Sequence, residues 1–298
     1  MLTVLRFSKI WFGLSGLLVG GALVLLFTWG LEPGIDFRGG ALLELEFPRA
    51  ISVPELSQAL MARGLKGAVV QPINDQRVII KTEILDEAKT ELLNKTLQEE
   101  FGDFRELRFE SIGPTISREL IRKSYWQIIL VCLGILFYIA YAFRRISKDT
   151  KRTEISPWRL GLAAVIALFH DLLITVGFFV LLGHFRGVEI DSLFVTALLT
   201  ILGFSVHDTI VVFDRIRENA QKFPYKSFGT IIDHAIASTL ARSINTSSTL
   251  VFVLLAMLLF GGQTVFYFVL ALLIGVLVGT YSSIFIASPL LRIWAKAK

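Results

Sequence analysis

The sequence holds 298 residues, 54% of them hydrophobic and 18% charged, with a net charge of +5 and a mean hydropathy of +0.65. That is too apolar for an ordinary soluble protein and too charged for a chain lying wholly in lipid, so both are excluded in favour of several membrane spans with a soluble part. The single cysteine, Cys132, has no partner for an intramolecular disulfide and says nothing of redox compartment.

Residues 1–30 comprise a short N-terminal stretch and a first apolar run over 10–29, preceded by Arg6 and Lys9. At 1.5 Å per residue this run crosses a bilayer core of about 30 Å. A secretory signal core is shorter, roughly 7–15 residues, and no small-x-small cleavage site follows before Glu32, so a retained anchor is expected. Residues 31–123 have no long apolar run. Within them 41–47 alternates as a strand, with Leu43, Leu45 and Phe47 on one face and Glu44 and Glu46 on the other. Ser52 and Glu55 form a capping box for a helix that runs to Arg63 and stops at Gly64. A hairpin is expected over 68–73 and 77–82 around Asn74-Asp75, then an amphipathic helix over 86–101 and a last strand over 104–112. The order β-α-β-β-α-β predicts a ferredoxin-like α+β domain, which by itself carries no function.

Five more spans are expected at 124–143, 160–183, 190–213, 245–261 and 264–288, giving a polytopic α-helical membrane protein with six transmembrane helices. They are joined by a loop over 144–159 and a stretch over 214–244, and a tail over 289–298 ends the chain. The amphipathic run 228–240 reads as an interfacial helix or a docking surface. Arg144, Arg145, Lys148, Lys151, Arg152 and Arg159 crowd one loop; Arg215, Arg217, Lys222 and Lys226 crowd another; Arg292, Lys296 and Lys298 mark the tail. The opposite short loops offer Arg186 alone, so the positive-inside rule puts both termini in the cytoplasm and the 31–123 domain outside.

Asp208 falls within the fourth apolar run, where an ionised carboxylate costs about 2.5–3.5 kcal/mol near a helix centre and needs a partner or an ion-carrying role. It lies 18 residues after Ile190, and Arg242 lies 19 before Gly261, so their depths differ by one helical rise of about 1.5 Å. An acid–base pair between spans four and five is therefore expected. Arg242 shares a helix face with Ser238, Asn245, Thr246 and Thr249, a stripe read as a proton path; the plainer alternative is an arginine snorkelling to the interface and hydroxyls bonding their own backbone. In span three, Asp171 reads as a relay or structural carboxyl, bonded to Thr175 or to another helix. The dipeptides His170-Asp171 and His207-Asp208 make no metal site, because helix neighbours point about 100° apart and neither further ligands nor H-E-x-x-H accompany them. No metal or cofactor is expected, and His170 and His207 read as packed, neutral histidines. Span six carries Ala271, Gly275, Gly279, Ser283 and Ala287 every fourth residue, a packing stripe for an internal contact or a partner subunit. Gly34, Gly39 and Gly40 suit a hinge or a tight junction where the anchor meets the domain.

Several of these segments resemble a known family: Gly34 to Gly40 (Gly-Ile-Asp-Phe-Arg-Gly-Gly), Glu110-Ser-Ile-Gly-Pro-Thr115, His170-Asp171, the run from Asp208 to Asn219, Arg242-Ser-Ile-Asn-Thr246 and Gly279-Thr-Tyr-Ser-Ser283. In this order, over nearly the whole chain, they resemble the SecD/SecF family of bacterial protein-export membrane proteins, in its SecF branch. One departure is Val206-His207 before Asp208, where the family commonly has isoleucine-asparagine. The resemblance implies the resistance-nodulation-division superfamily, with six spans per half and SecD as the other half, in the bacterial inner (plasma) membrane. It further implies use of the proton motive force to assist preproteins at the outer side after the SecYEG channel and SecA have begun translocation, with no covalent catalysis and no nucleic-acid partner. Asp208 and Arg242 would then belong to the proton path, with H⁺ as coupling ion and Na⁺ as the alternative. The rival function is a half-transporter of that superfamily exporting small apolar molecules, which calls for a larger outer domain than 31–123.

Overall fold

The computed structural model describes residues 4–65, 67–85, 87–145 and 156–296. Asp86, Lys148, Lys151, Arg152 and Lys298, all used in the orientation and helix readings above, lie outside them. The chain divides into two compact units: residues up to Glu32 with those from Tyr125 onward, and Pro33–Ser124.

The smaller unit is built on four strands, β1 (Gly40–Glu46), β2 (Val69–Pro72), β3 (Arg77–Thr82) and β4 (Arg105–Ile112), with helices Val53–Ala62 and Glu87–Phe101 between them. The sheet order is β2-β3-β1-β4 with every neighbouring pair antiparallel, the ferredoxin-like arrangement. Alternation puts Leu43 and Leu45 of β1 beside Ile80 and Val78 of β3, and these bury with Phe47, Leu56, Leu60, Leu93 and Leu97 under the two helices. A bulge between Glu44 and Leu45 in the β1–β4 pairing lets β4 hold one extra residue. The hairpin turn is an Asx turn, Asn74 Oδ1 accepting from the backbone N–H of Gln76 and Arg77 at 2.9 and 2.7 Å. The expected capping box does not form: Ser52 is the N-cap residue, but its side chain makes no capping bond, and Pro54 with its preset φ starts the helix instead. Gly39 (φ 80°) and Gly40 (φ 139°) turn the chain into β1, and a Cβ on Gly40 would stand 2.6 Å from the Thr82 carbonyl oxygen. Gly34, at φ −76°, ψ −173°, needs no glycine.

Six helices are long and apolar enough to cross a membrane, among the described residues. Span one contains the helix Ser8–Thr28; span two is Pro114–Ala142, span three Pro157–Arg186, span four Ser192–Lys222 and span five Phe228–Phe260. Span six runs through Gln263–Ser282, a π-helical turn Ser283–Ala287 and Ser288–Lys296. Asp191 and Ser227 cap spans four and five by accepting from Phe194 N and Thr230 N at 2.9 and 3.2 Å. Most helices overrun the apolar runs because propensity, not hydropathy, decides where a helix ends. Span two thus starts at Pro114, ten residues before the expected 124.

The largest correction concerns the expected interfacial helix 228–240 and span 245–261. They are one helix of 33 residues, with no glycine or proline between Thr230 and Phe260 to break it. Its apolar side, Phe228, Ile231, Ile232, Ala235 and Ile236, is buried with Val212, Phe213 and Ile216 of span four and with Ile284 and Leu291. The run packs in the bundle instead of lying flat on a surface.

The small-residue stripe of span six is an internal contact. Ala271 and Ala287 are fully buried, and a Cβ on Gly275 or Gly279 would run into Ile201 or Ser205 of span four at 2.2 and 3.0 Å. Span three meets span one in the same way, Gly177 standing where a Cβ would lie 2.5 Å from that of Ala22.

Candidate functional site

Among the larger apolar side chains buried between spans three, four, five and six runs a polar seam of hydroxyls, two carboxyls and His170. Asp208, midway along span four, is 7% exposed. Its Oδ1 accepts a 2.5 Å hydrogen bond from Ser243 Oγ of span five, while its Oδ2 is buried without a partner. One turn earlier, Ser205 Oγ donates to Asp171 Oδ2 of span three at 2.6 Å, and Ser282 Oγ of span six donates to the same oxygen at 2.8 Å. His170 Nδ1 lies 2.9 Å from Asp171 Oδ1. Thr209 and Ser283 join spans four and six through their hydroxyls at 2.8 Å, and Ser247 and Thr280 join spans five and six at 2.6 Å. The expected Asp171–Thr175 bond runs to the backbone: Thr175 Oγ1 donates to the Asp171 carbonyl at 2.9 Å.

The expected ion pair is not made. Spans four and five touch at the level of Asp208, so the depth estimate holds; the direction fails. Ser243 meets the carboxyl, and Arg242, one residue and about 100° around the helix, is exposed on the outside of this chain. Asn245, Thr246 and Thr249 are exposed with it, and no ion pair among the described residues joins Arg242 to an acid. Ser238 is exposed too, its hydroxyl accepting from Arg215 Nε at 2.9 Å. The inward face of span five is Thr239, Ser243 and Ser247, all buried. Four-residue spacing of hydroxyls was the available signal for it, and Ser205, Asp208 and Thr209 show the matching i, i+3, i+4 pattern on span four. Next to the exposed stripe, span four presents Thr196, Thr200, Gly203 and His207, also exposed. Two mid-bundle helices thus share an outward face bearing an arginine, a histidine and an asparagine.

The charges at the C-terminal end of span four pair locally: Glu218 with Arg215 and with Lys222, the latter at 2.6 Å, and Asp214 with Arg217 at 3.5 Å. Among the described residues no group of three or more His, Cys, Asp or Glu side chains could hold a metal ion. What the seam can do is hold protons. Asp208, with one oxygen bonded to Ser243 and the other unpartnered, and Asp171, held by hydroxyls of spans four and six, each change their grip on those helices on gaining or losing one.

These features define a six-span helical membrane protein with a ferredoxin-like domain after its first span and a polar, titratable seam through its helices. The sequence matches the family described as protein export membrane protein SecD/SecF, C-terminal, over residues 92–297, and the SecD/SecF GG motif over 24–47. It is 44% identical to a protein translocase subunit SecF from Thermobaculum terrenum, over 99% of this chain and 94% of that protein. It is 37% identical to one from Anaerolinea thermophila, again over 99% and 94%. The chain belongs to the SecD/SecF family of protein-export membrane proteins. Its structure is similar to the crystal structure of SecDF, a translocon-associated membrane protein, from Thermus thermophilus, with a TM-score of 0.83 and 32% identity. All of this chain is covered, but it spans 40% of the length of that SecDF chain.

Proposed function

We propose that the chain is a SecF-type subunit that works beside a SecD-type half in the bacterial inner membrane, using the proton motive force to assist preproteins at the outer side. The observation that carries this reading is Asp208: a buried carboxyl with one oxygen unpartnered, directly behind an outward face that places Arg242, Asn245 and His207 midway along two spans. Lipid solvates such a face poorly, so a second membrane protein should cover it, and the chain's similarity to part of the longer SecDF makes a SecD-type half the natural cover. Arg242 then serves the proton path from the partner side, with Ser243 holding Asp208 from within. Protonation of Asp208 weakens the Ser243 bond and lets spans four and five repack; loss of the proton restores it.

Moving one charge through 100 mV is worth about 2.3 kcal/mol, enough to bias two helix arrangements and too little to unfold a cargo in one stroke. The basic ends, Arg144, Arg145, Arg159 and Arg215, support a cytoplasmic position for both termini and an outer position for Pro33–Ser124. The SecYEG channel and SecA are the expected neighbours. The test is export into vesicles containing SecYEG, SecA and a SecD-type partner: Asp208→Asn should assemble normally and lose all stimulation by the proton gradient. Full stimulation in that variant removes the proposal, and stimulation that follows a Na⁺ gradient instead reassigns the ion.

A further inference from the structure

The bundle holds a second buried acid that the Asp208 scheme leaves unused. Asp171 is fully buried, and its carboxyl is held by side chains from three helices: His170 on span three, Ser205 on span four and Ser282 on span six. His170 is itself only 6% exposed, its ring stacked on Tyr281 with centroids 6.0 Å apart. The Nε2 of that ring is buried with no hydrogen-bond partner. A buried nitrogen left so is costly as donor or acceptor alike, and such a group in a packed interior calls for an explanation.

Counting charge supplies one. With the imidazole neutral and the carboxyl ionised, the pair carries a net −1 in the packed interior; one proton more, on either member, brings it to zero. Few titratable groups on the surrounding helices compete for that exchange. Span one has none between Lys9 and Glu32; span two brings Cys132, buried in one cluster with Leu168 and Leu172; span four offers His207 and Asp208 ahead of its terminal charges from Asp214 onward; and span six offers Tyr267 and Tyr281 ahead of Arg292 and Lys296. Tyr281 is already engaged, its hydroxyl 3.0 Å from Ser15 Oγ and donating to the Trp11 carbonyl at 3.2 Å.

From this geometry we infer that the His170–Asp171 pair is a second proton-binding site, and that its loading sets how span six is seated. The inference shares with the proposed function the premise that protons drive the chain, but it does not involve Asp208. Ser282 is the last residue before the π-helical turn Ser283–Ala287, whose first carbonyl accepts from Ser288 Oγ at 3.0 Å. Such turns are rare and found mostly at functional sites. A π turn holds one residue more than an α turn, so converting it shifts everything beyond by about 100° and 1.5 Å. Hydrogen bonds to an ionised carboxyl are roughly twice as strong as neutral ones, so the unloaded pair grips Ser205 and Ser282, and a proton taken up by the pair and seated on that carboxyl releases them. Thr209 of span four, bonded to Ser283 at 2.8 Å, feels the change first outside span six.

The experiment uses the full chain with its SecD-type partner in lipid nanodiscs. A pH titration is followed by infrared bands of the buried carboxyl and imidazole, and by hydrogen exchange over residues 283–288 corrected for intrinsic rate. In an Asp208→Asn background one buried titration should remain, with exchange over 283–288 changing at the same pH; His170→Gln and Asp171→Asn should each abolish both. A titration unchanged in His170→Gln, or absent from Asp208→Asn, overturns the second site and leaves the Asp208 scheme standing. Export that survives Asp208→Asn removes the proposed function while leaving this titration in place. Should the histidine and aspartate variants fail to assemble, Ser282→Ala keeps both titrating groups: the titration should persist and exchange over 283–288 should lose its pH dependence. Exchange that still follows pH there overturns the link to span six.

Discussion

Gly275→Ala puts the contact between spans four and six to a quantitative test. The added Cβ would stand 2.2, 2.3 and 2.8 Å from Cδ1, Cγ1 and Cγ2 of Ile201, which is buried. Carbon atoms in contact sit about 3.5–4.0 Å apart, so the helices must part by roughly 1.3 Å or Ile201 must turn. Turning does not suffice: both branches at Cβ clash, and of three staggered positions rotation can vacate only one of the two. Overpacking of this kind costs about 1–3 kcal/mol, against a gain of about 1 kcal/mol for alanine over glycine within a helix. Gly134→Ala on span two, where a Cβ meets nothing within 4 Å, isolates that gain. The two variants should therefore differ by about 1–3 kcal/mol in unfolding of the purified chain in bicelles. Ile201→Ala made in the Gly275→Ala background should recover at least about 1 kcal/mol as a coupling energy in the double-mutant cycle. The same displacement would stretch the 2.8 Å Thr209–Ser283 bond between these spans out of range, so proton-dependent export should fall together with stability. Equal stabilities for the two alanines, with no coupling to Ile201, would refute the packing argument and the seam built on it.

Arg242→Ala should leave unfolding of the chain alone within about 0.5 kcal/mol, since the side chain is exposed and its removal uncovers no buried charge. It should abolish proton-dependent export all the same, and a cysteine at Asn245 in a Cys132→Ala background should cross-link to the SecD-type partner; an unstable lone chain or a silent export assay contradicts the outward assignment. In the ferredoxin-like unit, Gly40→Ala and Gly64→Ala both force a side chain to positive φ, but only the first drives a Cβ to 2.6 Å from a backbone oxygen. Protease sensitivity of residues 33–124 in the full chain should rise clearly more for Gly40→Ala, by the equivalent of about 1–3 kcal/mol. Equal sensitivities would show that the Gly39–Gly40 junction yields.

Hydropathy and alternation made the architecture legible, because lipid and a sheet face each impose one simple rule on residue polarity. The six apolar runs and the alternating 41–47 stretch each matched the element they implied, and the β-α-β-β-α-β order carried through to the sheet. Ends were less legible: the run 228–240 reads as an interfacial helix or docking surface, yet nothing in the chain breaks the turn, and apolar side chains of span four cover it. The site divided the same way. Asp208 and Asp171 announced themselves as acids in apolar helices, whereas Ser243, Ser205 and Ser282, which hold them, are common residues that become conspicuous only when helices bring them together.

What the residues alone determined is the number of spans, the domain type, the packing stripe on span six and the depth at which Asp208 and Arg242 stand, all of which follow from periodicity and length. What only the tertiary structure decided is which way each side chain faces. One residue along a helix is about 100° of rotation, and sequence spacing fixes relative angles on a helix without fixing which angle points inward. Packing fixes it, since small hydroxyls at Thr239, Ser243 and Ser247 let the helices close where Arg242 could not, and so the arginine turns outward while the serine takes the acid.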